Sequence, residues 1–469
     1  MKILYTNSPL HFTHGHTFCQ WDWQTLVLPT LAGITPDRHE IRLVDNMHSW
    51  WKSNRIVEEV RAFGPDVIGF SIIAARDLYN TLKYIKIVRQ ENPNAKLLAG
   101  GQGTAVFAEE LLNEGVDVLV RHEAERTLPE LLDAIEAGQT DFTNIQGLTF
   151  RQNGTTFKTP DRTWIKTLDE SQMPRFDLMP RVKSKWFKGR YTGSIEMTRG
   201  CPFACNFCAI SSFWDQSYRT KSTERILEEI RLLVKDGRSH IYLADDNFGM
   251  QKRRMTELFE RILQEGLDVR FFAQIRTDTV VKNPEMIELA ARGGLYGVLV
   301  GFDTYNPGTF HHVSKQGSVD LNFRCSEILR KNKIMIFGTH IYGLPDQKEP
   351  TEFNKTFWVG RQKSDLFRMP HFSLLPGTKL YDKLITPSEI ADQGGNDDFR
   401  LYVRPEKERR RFMKWYRFYT LLHIFLPDEI LKALFHPNPN VRVLKRMGYM
   451  SVFRHYLYRS LRRFNLVDI

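Results

Sequence analysis

Residues 198–208 read Thr-Arg-Gly-Cys-Pro-Phe-Ala-Cys-Asn-Phe-Cys, and the interpretation of the whole chain starts from this stretch. Its three cysteines, Cys201, Cys205 and Cys208, follow a predicted strand with the spacing C-x3-C-x2-C. Three thiolates on one loop suit three irons of a cubane cluster. A zinc site built only from protein ligands needs a fourth ligand, and the sequence offers none nearby. The spacing therefore predicts a 4Fe-4S cluster with one iron left open.

On both sides of this loop the sequence alternates short apolar runs with amphipathic segments. After the cysteines, helical patterns such as residues 222–235 and 252–266 separate the predicted strands, of which the sixth lies at residues 370–374. About six such units predict an open or partial barrel, whose chemistry belongs at the carboxyl ends of its strands. Before the linker, five strands predict a doubly wound parallel sheet of the α/β class, at residues 2–5, 40–44, 67–71, 96–99 and 116–120.

These patterns divide the chain into four parts. We expect a first domain at residues 1–140, a turn-rich and proline-punctuated linker at 141–190, a partial barrel at 191–385 and a basic, mostly helical region at 386–469. Within the linker, Asn153-Gly154 is a hairpin signal.

The composition is that of an ordinary folded protein. Of its 469 residues, 42% are hydrophobic and 26% charged, which excludes a collagen-like or wholly disordered chain. Its five cysteines are too few and too clustered for a secreted disulfide framework. No window approaches the ~18 consecutive apolar residues of a membrane span, and the start lacks a leader-like pattern. We therefore expect a cytoplasmic protein.

With the cysteine loop and the motifs that follow it, the sequence resembles the radical S-adenosylmethionine (SAM) enzymes from Tyr191 to Leu380. The resemblance implies that Cys201, Cys205 and Cys208 hold the 4Fe-4S cluster and that its open iron binds the amino and carboxylate groups of SAM. Reductive cleavage then yields a 5'-deoxyadenosyl radical, which abstracts hydrogen from an unactivated carbon. A one-electron reductant such as a flavodoxin or ferredoxin is the implied partner.

The same resemblance implies SAM contacts at the ends of the next strands, from Asp245, Asp246, Asn247, Gln274, Arg276 and Asp303. Buried carboxylates can accept hydrogen bonds from the ammonium group of SAM. Two plainer interpretations stay open, since Asp246 or Asn247 can cap a helix and Arg276 can be a surface arginine. Asp303 stands where this family usually has a longer glutamate, which leaves its contact in doubt.

The first domain resembles cobalamin-binding domains, which carry Ser-x-Leu, then 26 to 28 residues, then Gly-Gly. Here Ser71-Ile72-Ile73 is followed by 26 residues and by Gly100-Gly101. Glycines at a strand end let the backbone approach a buried nucleotide tail, and a hydroxyl can bond to it. The expected cobalamin contacts are Ser71, Gly100, Gly101 and Gln102. A dinucleotide-binding domain is disfavoured, because its glycine-rich fingerprint follows the first strand, whereas the glycines at 100–103 follow the fourth.

Two departures from that resemblance matter. Where many cobalamin domains have Asp-x-His-x-x-Gly, residues 24–29 read QTLVLP, so the histidine that ligates cobalt is missing at that position. The lower axial position of cobalt is then open or filled from elsewhere. His11, His14 or His16, in the loop after the first strand, can face the cobalt, and ordinary loop histidines are the plainer interpretation. Residues 120–125, VRHEAE, keep both carboxylates of a Val-x-Gly-Glu-x-Glu pattern and lose its glycine.

The positive charge of the chain belongs to its C-terminal region. Residues 401–469 hold 15 Lys and Arg against 5 Asp and Glu, a net +10, so residues 1–400, with 51 against 50, carry only +1. Helical spacing places Phe412, Trp415, Tyr416 and Tyr419 on one side. A solvated cap on the barrel, peripheral contact with an anionic membrane and, least favoured, nucleic acid stay open as roles for this region.

The sequence thus predicts a B12-dependent radical SAM enzyme that functionalises an unactivated carbon, in the commonest form by methyl transfer from methylcobalamin. The first alternative is an anaerobic oxidative cyclase or hydroxylase for a porphyrin or lipid-like substrate, because residues 213–222 are similar to the magnesium-protoporphyrin ester cyclases. A non-catalytic cobalamin carrier or sensor is the second. A tRNA methylthiotransferase is nearly excluded, since the first domain holds only Cys19 where that class needs three cysteines.

Overall fold

The structure is a computed structural model, and its described residues are 1–7, 23–46, 55–72, 78–105, 107–309, 315, 317–372, 374–375, 377–384, 406–443 and 445–446. Among them, no helix has the length and apolar character that crossing a membrane requires. Two sheets organise the chain, one on each side of residue 180. His11, His14, His16 and Cys19 lie outside the described residues.

The first sheet has seven strands in the order β2-β1-β3-β4-β5-β6-β7. Its strands are β1 (Lys2–Asn7), β2 (Glu40–Val44), β3 (Val67–Ser71), β4 (Lys96–Gly100), β5 (Val118–Val120), β6 (Leu148–Gln152) and β7 (Thr155–Lys158). The first five run parallel, as predicted, because helices cover both faces of near-continuous apolar runs such as Val67–Ser71. Those helices are α1 (Val27–Ile34), α2 (Arg55–Phe63), α3 (Leu78–Glu91), α4 (Ala108–Asn113) and α5 (Ala124–Glu136).

The antiparallel hairpin β6–β7 extends this sheet beyond the predicted end of the first domain. Asn153 and Gly154 turn it, with φ angles of 51° and 77°. Both residues tolerate the left-handed conformation that a tight hairpin needs, which explains the sequence signal. The sheet therefore includes residues of the segment expected as linker, and the domain boundaries themselves stay a prediction.

The second sheet has six parallel strands in the order β15-β14-β13-β12-β11-β8 and forms the predicted partial barrel. The strands are β8 (Thr192–Ile195), β11 (His240–Leu243), β12 (Arg270–Ile275), β13 (Leu295–Asp303), β14 (Met335–His340) and β15 (Leu366–Arg368), with a small ladder β9 (Thr198–Arg199) and β10 (Arg219–Thr220) beside them. Its helices are α6 (Ala209–Phe213), α7 (Thr223–Lys235), α8 (Lys252–Gln264), α9 (Thr277–Lys282), α10 (Pro284–Arg292), α11 (Val319–Lys331), α12 (Asn354–Lys363) and α13 (Lys379–Leu384).

The sixth barrel strand lies earlier than predicted. The sequence places it at residues 370–374, whereas the structure has β15 at Leu366–Arg368 and only a single bridge between Tyr342 and His371. The prediction was wrong because Pro370 has no N–H to donate to a ladder, so regular pairing ends before it.

Two helices of the C-terminal region, α14 (Glu406–Phe425) and α15 (Pro427–Phe435), pack on the outside of the barrel. The predicted aromatic face of α14 is the contact face, with Phe412 and Tyr419 each 1% exposed against Tyr342 and its neighbours. The Tyr342 hydroxyl donates to the carbonyl of Phe412 at 2.9 Å. This face of the helix thus serves as a cap on the barrel.

We expect Phe412→Ala to lower the free energy of unfolding by about 3–5 kcal/mol, because it opens a cavity beneath the docked helix. Phe418→Ala, on the same helix but 49% exposed, is the control and should stay within about 0.5 kcal/mol of the wild type. Urea unfolding followed by tryptophan fluorescence measures both. Equal effects of the two substitutions would show that α14 does not dock as described.

Candidate active site between the two sheets

A cavity of about 460 Å³ lies where the carboxyl ends of both parallel sheets face each other. From the first sheet, its wall includes the four predicted cobalamin contacts: Ser71, Gly100, Gly101 and Gln102. From the barrel, it includes Ser194, Glu196, Tyr242, Ala244, Asp246, Phe272, Gln274 and Leu299. One space is therefore bordered by the strand ends that the sequence assigned to two different cofactors.

The first-sheet wall is shaped by glycine. Ser71 ends β3 and pairs in register with Gly100, so the hydroxyl and the glycines stand side by side. Gly101 has a φ of 103°, and a Cβ there would lie 2.5 Å from the carbonyl oxygen of Ile72. Only glycine fits this backbone position. Around it the wall is apolar, formed by Leu26, Val27, Leu31, Ile34, Leu98 and Leu128.

The segment that replaces the expected cobalt-ligating histidine has a structural task. The side-chain amide of Gln24 donates to the carbonyl of Pro180, and its oxygen accepts from the Arg238 guanidinium. The carbonyl of Gln24 accepts from the Ser194 hydroxyl at 2.7 Å. Gln24 thus fastens the first domain to the barrel, and its side chain is already occupied.

The cysteine loop runs between β9 and α6. Gly200, just before Cys201, has a φ of 87°, and a Cβ there would clash with the carbonyl oxygen of Ser217. The other end of the loop is held by a late segment of the barrel. The Leu380 amide donates to the carbonyl of Asn206 at 2.9 Å, and Phe207 packs against Leu344, Phe372 and Leu380. The loop is therefore anchored from both sides.

The donor set around the cysteines fits an iron-sulfur cluster. All three thiols are partly accessible, and burial raises the pKa of the Cys201 and Cys205 thiols, so they ionise readily only with a metal to bind. The Asn247 amide and the Arg276 guanidinium lie 4.0 Å from the sulfurs of Cys201 and Cys205, where they can donate to a charged cluster. No three His, Cys, Asp or Glu side chains in the described part of the chain are grouped to hold one metal ion. This is consistent with a cluster, because thiolates that each bind a different iron lie farther apart than ligands that share one metal ion.

Of the predicted SAM contacts, two line the cavity. Asp246 accepts from the Gly200 amide at 3.0 Å, and burial raises its pKa to about 6. Gln274 donates to the Tyr242 hydroxyl at 2.5 Å and so presents an oriented amide. Arg276 lies beside the cavity, 3.6 Å above the Phe203 ring, with Nε donating to Asp278 at 2.9 Å. Asn247 is 1% exposed, and its Oδ1 accepts no hydrogen bond in the described residues.

Like Asn247 and Arg276, the remaining two predicted SAM contacts, Asp245 and Asp303, are not part of the cavity wall. Asp245 is fully buried and accepts from the amides of Met197 and Thr198 and from the Thr198 hydroxyl, at 2.7, 3.1 and 2.9 Å. Its geometry is that of a carboxylate holding the strand that leads into the cysteine loop. Asp303 has a φ of 58° and forms an ion pair with Lys315.

The structure also reveals cavity residues that sequence reasoning missed. Glu196 and Arg199 precede the first cysteine, and Arg199 binds Glu123, just before α5, and Glu125, in its first turn, 76 and 74 residues away. A pairing at that separation leaves no periodic signal in one sequence. His122 stands where the Val-x-Gly-Glu-x-Glu pattern has glycine. Its φ of 60° lies in the left-handed region that favours glycine, which explains the pattern. Burial lowers the pKa of its imidazole, and the side chain lines the cavity.

Comparison with known protein families agrees with this geometry. Residues 195–353 match the Radical SAM superfamily, and residues 20–132 match the B12 binding domain. The chain thus joins a B12-binding domain to a radical SAM domain. The predicted family and enzyme class are confirmed, and the predicted cofactor set, a 4Fe-4S cluster with SAM and cobalamin, is that of these two domains.

Three relatives illustrate the range of this family. An uncharacterized methyltransferase of Pyrococcus horikoshii is 26% identical over 91% of this chain and 87% of its own length. The hopanoid C-3 methylase of Methylococcus capsulatus is 28% identical over 64% of this chain and 56% of its own. The anaerobic magnesium-protoporphyrin IX monomethyl ester cyclase of Synechocystis is 22% identical over 92% of this chain and 95% of its own.

Two solved structures share the fold of this chain. The methyltransferase TsrM from Kitasatospora setae, with cobalamin and a [4Fe-4S] cluster bound, has a TM-score of 0.65 at 17% identity, over 82% of this chain and 74% of its own. The cobalamin-dependent radical enzyme OxsB, with aqua-cobalamin and SAM bound, has a TM-score of 0.69 at 14% identity, over 98% and 72%. The α/β fold class, a parallel sheet followed by a partial barrel and helices, is thereby confirmed.

We expect Gly200→Ala to reduce the bound iron at least about tenfold, because the new methyl group displaces the backbone just before Cys201. Iron content and the broad visible absorption of anaerobically reconstituted protein measure the effect. Gly189→Ala is the matched control, since Gly189 also has a positive φ, 82°, but nothing lies within 4 Å of its added Cβ. Equal iron in both variants would contradict the anchored loop.

Proposed function

We propose that this protein is a B12-dependent radical SAM methyltransferase that methylates an unactivated carbon of a small molecule. The observation that carries the proposal is the single cavity bordered by both sets of strand ends. The cluster would be held by Cys201, Cys205 and Cys208, and the corrinoid by Ser71, Gly100, Gly101 and Gln102. When bound, this set supplies a methyl group and a carbon radical in one enclosed space.

The residues of the chain have separate tasks in this proposal. Asp246 and Gln274 present polar groups to SAM from the barrel side, while Arg276 and Asn247 donate toward the cluster sulfurs. Asp245 positions the strand before the loop. The apolar side chains of α1, β4 and α5 exclude water from the corrinoid side, which matters because a primary carbon radical attacks nearby C–H bonds.

An oxidative cyclase or hydroxylase is the second candidate. It is favoured by one observation, the similarity to the Synechocystis cyclase over 92% of this chain. Both candidates use the same cavity and differ in the fate of the methyl group of SAM. A porphyrin, lipid or natural-product intermediate suits either chemistry, since much of the cavity wall is apolar.

An assay without the natural substrate separates the candidates. Anaerobic, reduced protein loaded with iron, sulfide and hydroxocobalamin is incubated with SAM labelled in its methyl group. We expect 5'-deoxyadenosine to form and the label to be recovered with the corrinoid. Cys205→Ala should lower 5'-deoxyadenosine at least about a hundredfold, because the cluster loses a ligand. Cys325→Ala, which removes a core thiol on α11, should keep it. Deoxyadenosine without labelled corrinoid favours the cyclase class, and a wild type that forms neither would contradict both candidates.

The electron donor is proposed to be a flavodoxin or ferredoxin that approaches the cysteine loop from outside. Pro202 and Ala204, between the first two cysteines, are exposed, while the cysteines themselves are partly buried. This exposure supports the proposal, because a donor protein can approach the loop from outside without opening the cavity.

We further propose that α14 and α15 contact an anionic membrane surface peripherally. Seven of the twelve exposed large apolar side chains in the described residues lie on these two helices: Phe418, Leu421, Phe425, Ile430, Leu431, Leu434 and Phe435. This set differs from the aromatic face that caps the barrel. The net +10 of residues 401–469 complements anionic headgroups. Apolar side chains with surrounding basic charge are typical of interfacial helices.

Flotation with vesicles tests this surface. We expect binding to vesicles with 30% phosphatidylglycerol and weak binding to phosphatidylcholine alone. The double substitution Phe425→Ser with Phe435→Ser should weaken binding about tenfold or more, since both side chains are above 70% exposed. The matched control is Leu232→Ser with Leu263→Ser on α7 and α8, which should bind as the wild type does. Unchanged flotation of the first pair, or a dimer that this pair dissolves, would contradict a membrane role.

A further inference from the structure

A buried ion-pair network joins the two domains beside the cavity. We call Glu123, Glu125, Glu196, Arg199 and Arg219 the interdomain network. One nitrogen of Arg199, Nη1, donates to Glu123 and Glu125 at 2.7 and 2.8 Å, and its Nη2 donates to Glu196 at 2.8 Å. Arg219 donates to the same Glu123 oxygen at 2.5 Å. One arginine thus binds carboxylates of both domains.

Four of the five network side chains are almost closed to solvent, and the fifth, Glu196, is 21% exposed. The side chains of Arg199 and Arg219 are 10% exposed, and those of Glu123 and Glu125 are 7% exposed. The Trp214 ring covers both guanidinium groups, at 5.6 and 5.5 Å from its centroid. The second Glu123 oxygen accepts from the Ile165 amide at 2.9 Å. Arg199 and Glu123 are therefore each held by several partners, whereas Nε and Nη2 of Arg219 have no hydrogen-bond partner among the described residues.

The network connects the two sides of the cavity where the two cofactors are expected to bind. Glu123 and Glu125 follow β5, which pairs with β4 up to Gly100. Arg199 ends β9 and stands two residues before Cys201, and the adjacent Gly200 amide is bound by Asp246. Glu196 and Arg199 both line the cavity. The network is consequently the direct link between the glycine edge of the first sheet and the start of the cysteine loop.

Stability alone is a poor explanation for such a link. Removing charges from water costs free energy, and apolar side chains of similar volume stabilise a buried contact as well or better. Three carboxylates face two guanidinium groups here, so one negative charge stays unbalanced within the network. What charged hydrogen bonds provide and apolar packing does not is a fixed distance and angle, above all through the planar fork of arginine.

We propose that the interdomain network sets the separation and orientation of the corrinoid relative to SAM. Its members are positioning residues, which act through the loop and the strand ends that they hold. In methyl transfer the reduced Co(I) corrinoid would take the methyl group as the S–CH3 bond of SAM breaks and S-adenosylhomocysteine leaves. The reacting atoms must be in line, and a misplacement of ~1 Å can cost on the order of a hundredfold in rate. Reductive cleavage of SAM would need the cluster, SAM and one electron from the reductant, and it involves no group held by the first domain. The network thus governs methyl transfer to the corrinoid and leaves the cleavage of SAM unaffected.

The inference rests on the proposed function, and two variants test it. Arg199→Lys keeps the charge and loses the fork, and Glu125→Gln keeps the size and removes one charge from the domain interface. Glu229→Gln is the matched control, since Glu229 accepts from Lys221 and Arg225 in a buried pair within the barrel alone. Each is loaded with cluster and cobalamin as in the assay above. We measure iron and corrinoid content, 5'-deoxyadenosine, and methyl label recovered with the corrinoid.

For Arg199→Lys and Glu125→Gln we expect the ratio of transferred label to 5'-deoxyadenosine to fall at least tenfold, while the control keeps the wild-type ratio. Because label transfer needs bound corrinoid and SAM cleavage does not, the label is expressed per bound corrinoid and 5'-deoxyadenosine per bound cluster, which removes the effect of unequal loading. A second readout needs no turnover. Magnetic coupling between the reduced cluster and a Co(II) corrinoid, measured by electron paramagnetic resonance, should change in these two variants and not in the control.

Loaded variants with the wild-type ratio and coupling would overturn the inference, as would an equal fall in the control. If Arg199→Lys fails to fold, Glu125→Gln alone decides, since it keeps a hydrogen-bonding side chain of equal size. A wild type that binds no corrinoid contradicts the proposed function instead, and it does so before any variant is compared.

Discussion

The structure depends on one constraint, that two parallel sheets present their carboxyl ends to the same gap. Parallel strands gather loops, helix starts and glycines at that edge, so each sheet alone offers half of a binding site. The halves become one cavity because buried hydrogen bonds hold them face to face. Gln24 and Arg238 do so at one point, and the interdomain network does so at another. Without these fixed contacts the two edges would be independent surfaces.

Much of the architecture could be predicted because local patterns carry it. The five parallel strands of the first sheet, the hairpin at Asn153-Gly154 and the barrel follow from apolar runs, turn residues and spacing. The cysteine spacing is equally local, and so is the Gly100-Gly101 edge that the structure places on the cavity wall. Each of these signals lies within about thirty residues, a range in which periodicity and turn chemistry decide the conformation.

Contacts between distant segments are where the sequence falls short. Asp245 and Asp246 are neighbours at the end of the same strand, yet one holds backbone amides behind the loop and the other faces the cavity. No local pattern around Arg199 indicates that it pairs with carboxylates at the start of α5. The aromatic residues of α14 are similar: their spacing predicts a common face, but only packing shows that Tyr342 and the barrel cover it while Phe425 and Phe435 stay exposed.

Arg238 has a consequence for how the protein exchanges its small molecules. It is 2% exposed and donates to Asp236 and Gln24 and to the carbonyls of Phe176, Met179 and Pro180, so its guanidinium joins the first domain, the intervening segment and the barrel at one point. Separating the halves there would break the hydrogen bonds that Gln24 makes with Arg238 and Pro180, which costs more free energy than moving an exposed loop. We therefore expect the two domains to stay in contact at Arg238 during turnover. We expect small molecules to enter and leave the cavity at the rim opposite Arg238.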